Sequence, residues 1–215
     1  MPPTVKALRA PVLPRDLEPR SLPKLASLDV VEQCRIEGCA LAEAKAERAR
    51  FDTVRLVGGT LGASKLTQLT WIDVLCERGD LSMVAWQGAK LTRVEVRGSR
   101  MTGAKLVEGE LDSVRFIDCH LDYATFTSTR FRQVSFESCR LEEADFRGAD
   151  LTGTSFVDCE LRGADLGRAK LQGADVSSSR IGDIHVGPGD VRGLVVNREQ
   201  AAALAKLFGL VVRDG

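Results

Sequence analysis

A five-residue repeat of apolar residues runs through most of this 215-residue chain and constrains its fold more than any other feature. From Ile36 to Val196 every fifth residue is apolar, and most of these residues are Leu, Phe, Val or Trp. Two positions earlier lies a second series of mostly small residues (Ala, Ser or Cys), and the other three positions are largely charged, polar or Gly. So regular an internal repeat is the signature of a solenoid.

A period of five does not fit the common elements. An amphipathic helix needs apolar residues three and four apart, and a half-buried strand needs strict alternation. The period does fit a chain that forms a short extended side, turns a corner and starts again, with the large residue pointing inward and the small one near the corner. Gly recurs three positions before the large residue, where a tight turn asks for a positive φ. These residues are Gly88, Gly98, Gly103, Gly148, Gly153, Gly163 and Gly173.

The repeats resemble the pentapeptide-repeat family, whose signature is Ala-(Asp/Asn)-Leu followed by two variable residues. The match is clearest in residues 144–146, 149–151, 164–166 and 174–176. The resemblance implies an all-β solenoid, a right-handed quadrilateral β-helix of about eight coils with four repeats to a coil and a solid interior. Residues twenty apart should then stack in columns. The expected columns are Phe116, Phe136 and Phe156; Cys119, Cys139 and Cys159; and Phe126 and Phe146.

The sequence predicts three regions: a Pro-rich N-terminal region in residues 1–30, the β-helix in residues 31–196, and a C-terminal helix and short strand in residues 197–215. The first region has no basic start followed by an apolar core, so we do not expect a secretory signal. Two interpretations of it remain open. It is either a partly disordered tail or an arm packed along the coil, with Leu22, Leu25 and Leu28 closing the first turn.

The last region carries helix boundary signals. Asn197 followed by Gln200 predicts a capping box, Gly209 predicts the helix end, and Leu210–Val212 predict a short strand. One interpretation is a cap over the last coil. The other is a homodimer interface, because helix and strand together present more apolar surface than one coil end can cover, and related gyrase-binding members dimerise through C-terminal elements. The candidate dimer residues are Leu204, Leu207, Phe208, Leu210 and Val212.

The composition excludes several classes of partner. Lys and Arg number 30 and Asp and Glu number 30, so net charge predicts neither direct nucleic-acid binding nor an anionic membrane. No apolar stretch approaches the length of a membrane span. All six Cys fall at inward positions, where buried thiols are favoured over disulfides or metal ligation and suit a reducing cytosol. We therefore expect a cytoplasmic protein without a metal or cofactor.

The sequence contains no catalytic motif. Its two His residues, His120 and His185, fall at outward positions, and a solid column offers no cleft of the kind enzymes use. The Asp residues of the repeat are expected to cap turn backbone or face water: Asp145, Asp150, Asp165 and Asp175. We predict no catalytic, cofactor or metal residue and no enzymatic activity.

One stretch departs from the pattern and is a candidate partner-binding patch. Trp71 and Trp86 are large for the inward slot, and Leu75 should face outward. Either the column is wider here and the two Trp side chains fill it, or the coil is distorted and exposes Trp71, Leu75 and Trp86 to a partner.

These features predict a non-catalytic scaffold that binds an unidentified protein. The alternative comes from the resemblance to quinolone-resistance members, which mimic DNA, bind DNA gyrase or topoisomerase IV and protect it from quinolones. That mechanism needs a strongly acidic face. Here residues 1–104 carry 16 basic and 12 acidic residues, and residues 105–175 carry 9 and 14. One outward column runs Lys45, Lys65, Ala85, Lys105, Thr125, Asp145 and Asp165. Because DNA carries closely spaced negative charge along its whole length, the mixed column favours the scaffold.

Overall fold

A computed structural model describes residues 8–213. Its one helix in that range is α1 (Arg198–Leu207). The strands are β1 (Glu18–Pro19), β2 (Val30–Glu37), β3 (Lys45–Glu47), β4 (Arg50–Val57), β5 (Lys65–Thr67), β6 (Thr70–Glu77), β7 (Lys90–Arg97), β8 (Glu110–Ile117), β9 (Arg130–Glu137) and β10 (Ser155–Val157). One parallel sheet has the order β1-β2-β4-β6-β7-β8-β9-β10, and β3 pairs with β5 in a second.

Four parallel ladders with a spacing of twenty residues define the solenoid. In the main sheet Arg50 pairs with Thr70 and Arg55 with Leu75, while single bridges continue the same register on the other sides. The ladder that starts at Ala40 and ends at Arg180 has one residue in each of eight layers, so the coil makes about seven turns between them. The predicted four-sided parallel β-solenoid is confirmed.

The corner position of the repeat adopts the left-handed backbone conformation whether or not it is Gly. All seven predicted glycines have a positive φ, from 54° at Gly98 to 72° at Gly173. The same position holds Glu143 with φ 55° and Arg168 with φ 58°. An L-residue in this region costs about 1–2 kcal/mol, so the stacking of neighbouring coils must offset a strain that recurs along the chain.

The predicted aromatic columns form the centre of the core. Phe136 stacks on Phe116 at 4.9 Å and on Phe156 at 5.0 Å between ring centroids, with interplanar angles of 9° and 4°. Phe126 and Phe146 stack at 5.1 Å on the adjacent side. Every one of these rings is buried. The twenty-residue spacing therefore places identical side chains face to face, as the repeat predicts.

The thiols are buried along the inside of the coil, and all six cysteines are free. The Sγ atoms of Cys119 and Cys139 each lie 3.3 Å from a backbone carbonyl oxygen of the preceding coil, those of Val96 and Phe116. Burial raises the pKa of the Cys76 thiol to about 12. A thiol in this environment packs as a small apolar group.

The N-terminal region is attached to the coil by β1 and by the Val12 N–H, which donates to Asp73 Oδ1 at 2.9 Å, while residues 1–7, with Pro2 and Pro3, lie outside the described residues. Leu22 and Leu25 are buried, as the arm interpretation predicts. Leu28 is not, because its side chain is 62% exposed. Its backbone closes the first coil instead, with its N–H donating to the Glu47 carbonyl oxygen at 2.9 Å. The prediction for the Leu28 side chain is wrong.

The regular coil loosens after His185. Val186, Val191 and Val196 keep the five-residue spacing but are only half-buried. Pro188 has no N–H to donate to a ladder, and the Asp190 carboxylate accepts hydrogen bonds from the backbone N–H groups of Gly187 and Arg168. An irregular turn therefore leads from the last coil into α1.

The predicted strand at Leu210–Val212 is absent, and this prediction is wrong. Leu210 donates its N–H to the Ala205 carbonyl oxygen at 2.9 Å and so completes the helix end, where Gly209 has the expected positive φ of 84°. Beyond it Val211 is 86% exposed. A strand needs a paired neighbour, and residues 210–213 pair with none of the described residues.

Candidate interaction surfaces

The predicted partner patch is not a surface. Trp71 and Trp86 are 0% and 1% exposed, and their rings meet edge to face at 4.9 Å inside the column. Only Leu75 faces outward, and it is half-buried. Both indoles fill the column at this level, and the predicted exposure of the two Trp side chains is wrong.

Helix α1 is tied to the last coil by a polar clamp. The Asn197 side chain accepts a hydrogen bond from the Gln200 backbone N–H, and Gln200 Oε1 accepts one from the Asn197 backbone N–H, which is the predicted capping box. Gln200 Nε2 also donates to the carbonyl oxygens of Val176 at 2.8 Å and Ser179 at 2.6 Å. Gln200, 6% exposed, thus gives the Ser179 carbonyl oxygen a donor at the end of the coil and adds a second donor to Val176, which also accepts from the Ser179 N–H.

The predicted dimer residues divide into two groups. Leu204 is buried against the coil, and Phe208 is half-buried against the same core. Leu207, Leu210 and Val212 are 53%, 63% and 37% exposed. Leu204 and Phe208 therefore pack against the coil, while Leu207 in the helix and Leu210 and Val212 beyond it leave apolar surface uncovered.

An open sheet edge lies beside this apolar surface. In the preceding coil the N–H groups of Leu161 and Gly163 donate to the carbonyl oxygens of Arg180 and Gly182 at 2.7 and 2.9 Å. The equivalent N–H groups of Ile181 and Asp183 find no acceptor among the described residues. A groove of about 490 Å³ runs between this edge and α1, and a second of about 310 Å³ lies on the other side of α1. The first is lined by Ile181, Ile184, Leu204 and Leu207 among others, and the second by Val191, Leu194, Phe208 and Leu210 among others.

Charged side chains on the rod pair with opposite charges one coil away. Glu110 lies between Lys90 and Arg130, at 3.9 and 3.6 Å. On another side Arg100 pairs with Asp80 at 3.2 Å. The further pairs between neighbouring coils include Arg140 with Asp122, Arg162 with Glu142, Lys170 with Asp150 and Arg180 with Glu160. Exposed pairs of this kind contribute little stability, but they leave the surface without a continuous stripe of one sign.

The repeat's Asp residues cap the turns, as predicted. Asp165 and Asp175 each accept a hydrogen bond at 2.9 Å from the backbone N–H two residues later. Asp145 accepts from both the backbone and the guanidinium of Arg147. Partial burial would raise the pKa of Asp145, but these hydrogen bonds and the Arg147 charge outweigh it and lower the pKa. The carboxylates are structural groups of the coil.

The remaining candidates for chemistry are dispersed. His120 and His185 are exposed, on different sides of the coil. Across residues 8–213 no three His, Cys, Asp or Glu side chains come together in a way that could hold a metal ion. In the same range no helix is long and apolar enough to cross a membrane.

Comparison with known proteins agrees with the repeat. The family model described as "Pentapeptide repeat region" matches residues 89–166. Residues 89–166 therefore carry a pentapeptide repeat. The resemblance to that family is therefore confirmed, and the ladders of the pentapeptide coil extend beyond the matched segment on both sides. No curated protein matches this sequence.

Solved structures similar to this chain include QnrB1, a plasmid-mediated fluoroquinolone resistance protein. Its full-length form has 17% sequence identity and a TM-score of 0.43, with 86% of this chain and 99% of that chain covered. A trypsin-treated form of QnrB1 has 20% identity and a TM-score of 0.42, with 87% and 99% covered. The pentapeptide repeat protein Rfr23 from the cyanobacterium Cyanothece 51142 has 15% identity and a TM-score of 0.31, with 77% and 91% covered.

Sequence reasoning missed one cluster on the outside of the pentapeptide coil. Arg93 Nε and Nη2 donate to the two carboxylate oxygens of Asp73 at 2.7 and 2.6 Å, and the backbone N–H of Val12 donates to Asp73 Oδ1 at 2.9 Å. The spacing of twenty residues places Asp73 and Arg93 in neighbouring coils, so their ion pair could have been predicted from the sequence. The contact with Val12 had no such signal, because residues 1–30 lie outside the repeat.

Proposed function

We propose that this protein is a non-catalytic scaffold: a homodimeric rod that binds a protein partner. The support comes from the structural roles that most of the side chains along the coil already have. The inward residues fill a continuous apolar core, the Asp residues cap turns, and the charged residues pair between coils. The C-terminal end is different, because its apolar side chains and backbone donors lie uncovered side by side.

That end carries the dimer part of the proposal. Leu207, beside the open edge, and Leu210 and Val211, beyond the helix, are all more than half exposed, and exposed apolar surface near a sheet edge favours association with another chain. Leu210 lines the groove on the far side of α1, so the chain's own tail starts away from the open edge at Ile181. A second copy of the chain is therefore the better source of a segment to cover that edge.

The oligomeric state tests the dimer. We expect the parent protein to sediment as a dimer and the double variant Leu207→Lys, Leu210→Lys to sediment as a monomer that keeps the circular dichroism spectrum of the folded coil. Met83→Lys is the matched control, because Met83 is 59% exposed but lies away from the C-terminal end, and this variant should stay dimeric. A parent protein that is monomeric at every concentration would remove the dimer from the proposal.

DNA mimicry with gyrase as partner is the alternative, and the charge pairing along the rod counts against it. A mimic of the duplex needs closely spaced negative charge along its length, whereas acidic side chains here alternate with Arg and Lys in the same columns, as at Lys90, Glu110 and Arg130. The local excess of acidic residues within residues 105–175 is the feature that supports the alternative.

A gyrase supercoiling titration distinguishes the two functions. The scaffold proposal expects no effect of the purified protein on supercoiling, with or without a fluoroquinolone. Inhibition at low micromolar protein, or rescue from the drug, would replace the scaffold proposal with DNA mimicry. Reversing charge at the exposed residues Glu108, Glu110 and Glu143 would then be expected to abolish that effect, whereas the same change at Glu32 and Glu37 in the first coil would not.

A further inference from the structure

The N-terminal arm, defined here as residues 8–17, crosses the outer face of the main sheet. Its C-terminal end leads into β1, which pairs with β2 in the first coil, and the Val12 N–H donates to Asp73 in the third. Neighbouring parallel strands lie roughly 4.8 Å apart, so the extended arm spans the strands between these two attachments. Leu8, Pro11, Leu13 and Leu17 of the arm are half-buried.

The sheet face at the third coil carries apolar residues where its neighbours are polar. Ile72 pairs in register with Asp52 on one side and Thr92 on the other. Leu75 pairs in the same way with Arg55 and Glu95. Both point outward and are half-buried, and they flank Asp73, which the arm contacts.

The arm is attached to this face weakly. Among the described residues, the only hydrogen bond from residues 8–17 to the coil is the one from Val12 to Asp73. Pro11 and Pro14 have no N–H to donate. Asp73 itself is firmly held, because it is 8% exposed and accepts two hydrogen bonds from Arg93. A segment with so few attachments opens at a low free energy while the coil beneath it stays folded.

We propose that the arm is a displaceable strap over a binding site for an extended segment of a partner protein. The site consists of Asp73, Ile72 and Leu75. The strap shows the chemistry that fits: a free backbone N–H for Asp73 Oδ1, flanked on each side by an apolar residue, as in Pro11–Val12–Leu13. The arm competes with the partner for the site. The apparent association constant of the partner is therefore its intrinsic value multiplied by the fraction of molecules in which the strap is open. This inference rests on the proposed scaffold function and names the face and the kind of segment that it binds.

Release of the strap is tested in the full-length protein. Val12→Pro removes the N–H that Asp73 accepts, and Val12→Ala keeps it. Because a hydrogen bond to a charged group is lost, we expect trypsin to cleave after Arg15 about tenfold faster or more in Val12→Pro than in Val12→Ala, with the melting temperature of both close to that of the parent. Equal cleavage rates in the two variants would overturn the strap.

Occupation of the site is tested with a fluorescent peptide that copies residues 8–17. We expect Val12→Pro to bind it about tenfold more tightly than the parent, and the double variant Val12→Pro, Asp73→Ala not to bind it. A control peptide with Pro at the Val12 position should fail to bind any of them. If Val12→Pro binds neither peptide, or binds both equally, the site is overturned. A dimer that persists in the sedimentation test would show that the scaffold proposal survives that failure.

Discussion

At the scale of single residues, Phe136 illustrates how the core resists change. It lies between Phe116 and Phe156 at centroid distances of 4.9 and 5.0 Å and is completely buried. Each coil of a solenoid is stabilised by its two neighbours. Damage at one such position therefore reaches the coils above and below it.

We expect Phe136→Ala to lower the free energy of unfolding by about 3–5 kcal/mol, and Phe136→Asp to lower it further because the carboxylate would be buried without a partner. Arg132→Asp is the matched control, since Arg132 is exposed in the same coil and should change stability by less than about 1 kcal/mol. Urea unfolding measures all three. Equal stability of the two Asp variants would mean that the inward assignment of the repeat is wrong.

Two glycines with positive φ, one at the corner position and one in the small-residue series, separate the cost of backbone strain from that of steric overlap. Gly153 has φ 69° and open space where a Cβ would lie, whereas a Cβ at Gly59 (φ 80°) would come within 2.5 Å of the Cys39 backbone nitrogen and oxygen. We expect Gly153→Ala to cost about 1 kcal/mol, from the left-handed conformation alone. Gly59→Ala should cost clearly more, because backbone must move. Urea unfolding of the pair would contradict this if both variants lost the same amount.

At the scale of elements, α1 depends on one side chain for its attachment to the coil. Gln200 closes the capping box and donates to the carbonyl oxygens of Val176 and Ser179. We expect Gln200→Ala to lower the unfolding free energy by about 2 kcal/mol or more, because the Ser179 carbonyl oxygen loses its donor and the capping box is broken. Arg198→Ala, at an exposed position in the same helical turn, should have little effect. Thermal unfolding followed by circular dichroism tests the difference, and equal melting temperatures would show that the clamp is not needed.

The same region shows where element prediction from sequence ends. The Asn197 and Gln200 signals act within four residues, so the capping box could be predicted. The strand at Leu210–Val212 could not be settled locally, because its β-branched and apolar residues form a strand only beside a partner edge. In the structure the Leu210 N–H is already used by the helix end.

At the scale of the whole molecule, many carboxylates share one dependence on pH. Partial burial opposes ionisation of Asp73, Asp145 and Asp150, but hydrogen bonds and neighbouring cations outweigh it and lower the pKa of each. Hydrogen bonds from Ser82, with smaller help from Arg100, lower that of Asp80. A pKa lowered by folding stabilises the protein above the unfolded value of about 3.9, and this stabilisation is lost as the pH falls through the folded value.

We therefore expect the melting temperature to be steady from pH 7 to 5 and to fall below about pH 4. The variant Asp145→Asn should be less stable at pH 7 and lose less on acidification. Asp118→Asn is the control, since Asp118 is exposed and its side chain contacts no described cation. A parent protein that gained stability between pH 5 and 3 would contradict the assignment of these carboxylates.

What the sequence determined by itself is the coil: the period of five, the inward and outward positions, the aromatic columns and the buried thiols. It could do so because each coil repeats the same local environment, so one residue's surroundings can be read from positions twenty apart. The same logic placed the Asp residues at turns. For Trp71 and Trp86 the repeat left two interpretations open, burial in a filled column or exposure to a partner, and favoured the first.

Only the tertiary structure decided the features at the ends and on the outside of the rod. The arm's contact with Asp73, the outward side chain of Leu28, the division of the C-terminal helix between a buried and an exposed face, and the unpaired segment after Gly209 all depend on contacts outside the repeat. Such contacts join residues with no fixed spacing, 61 positions apart for Val12 and Asp73. No periodicity predicts them, because their free energy comes from surfaces that exist only once the coil has formed.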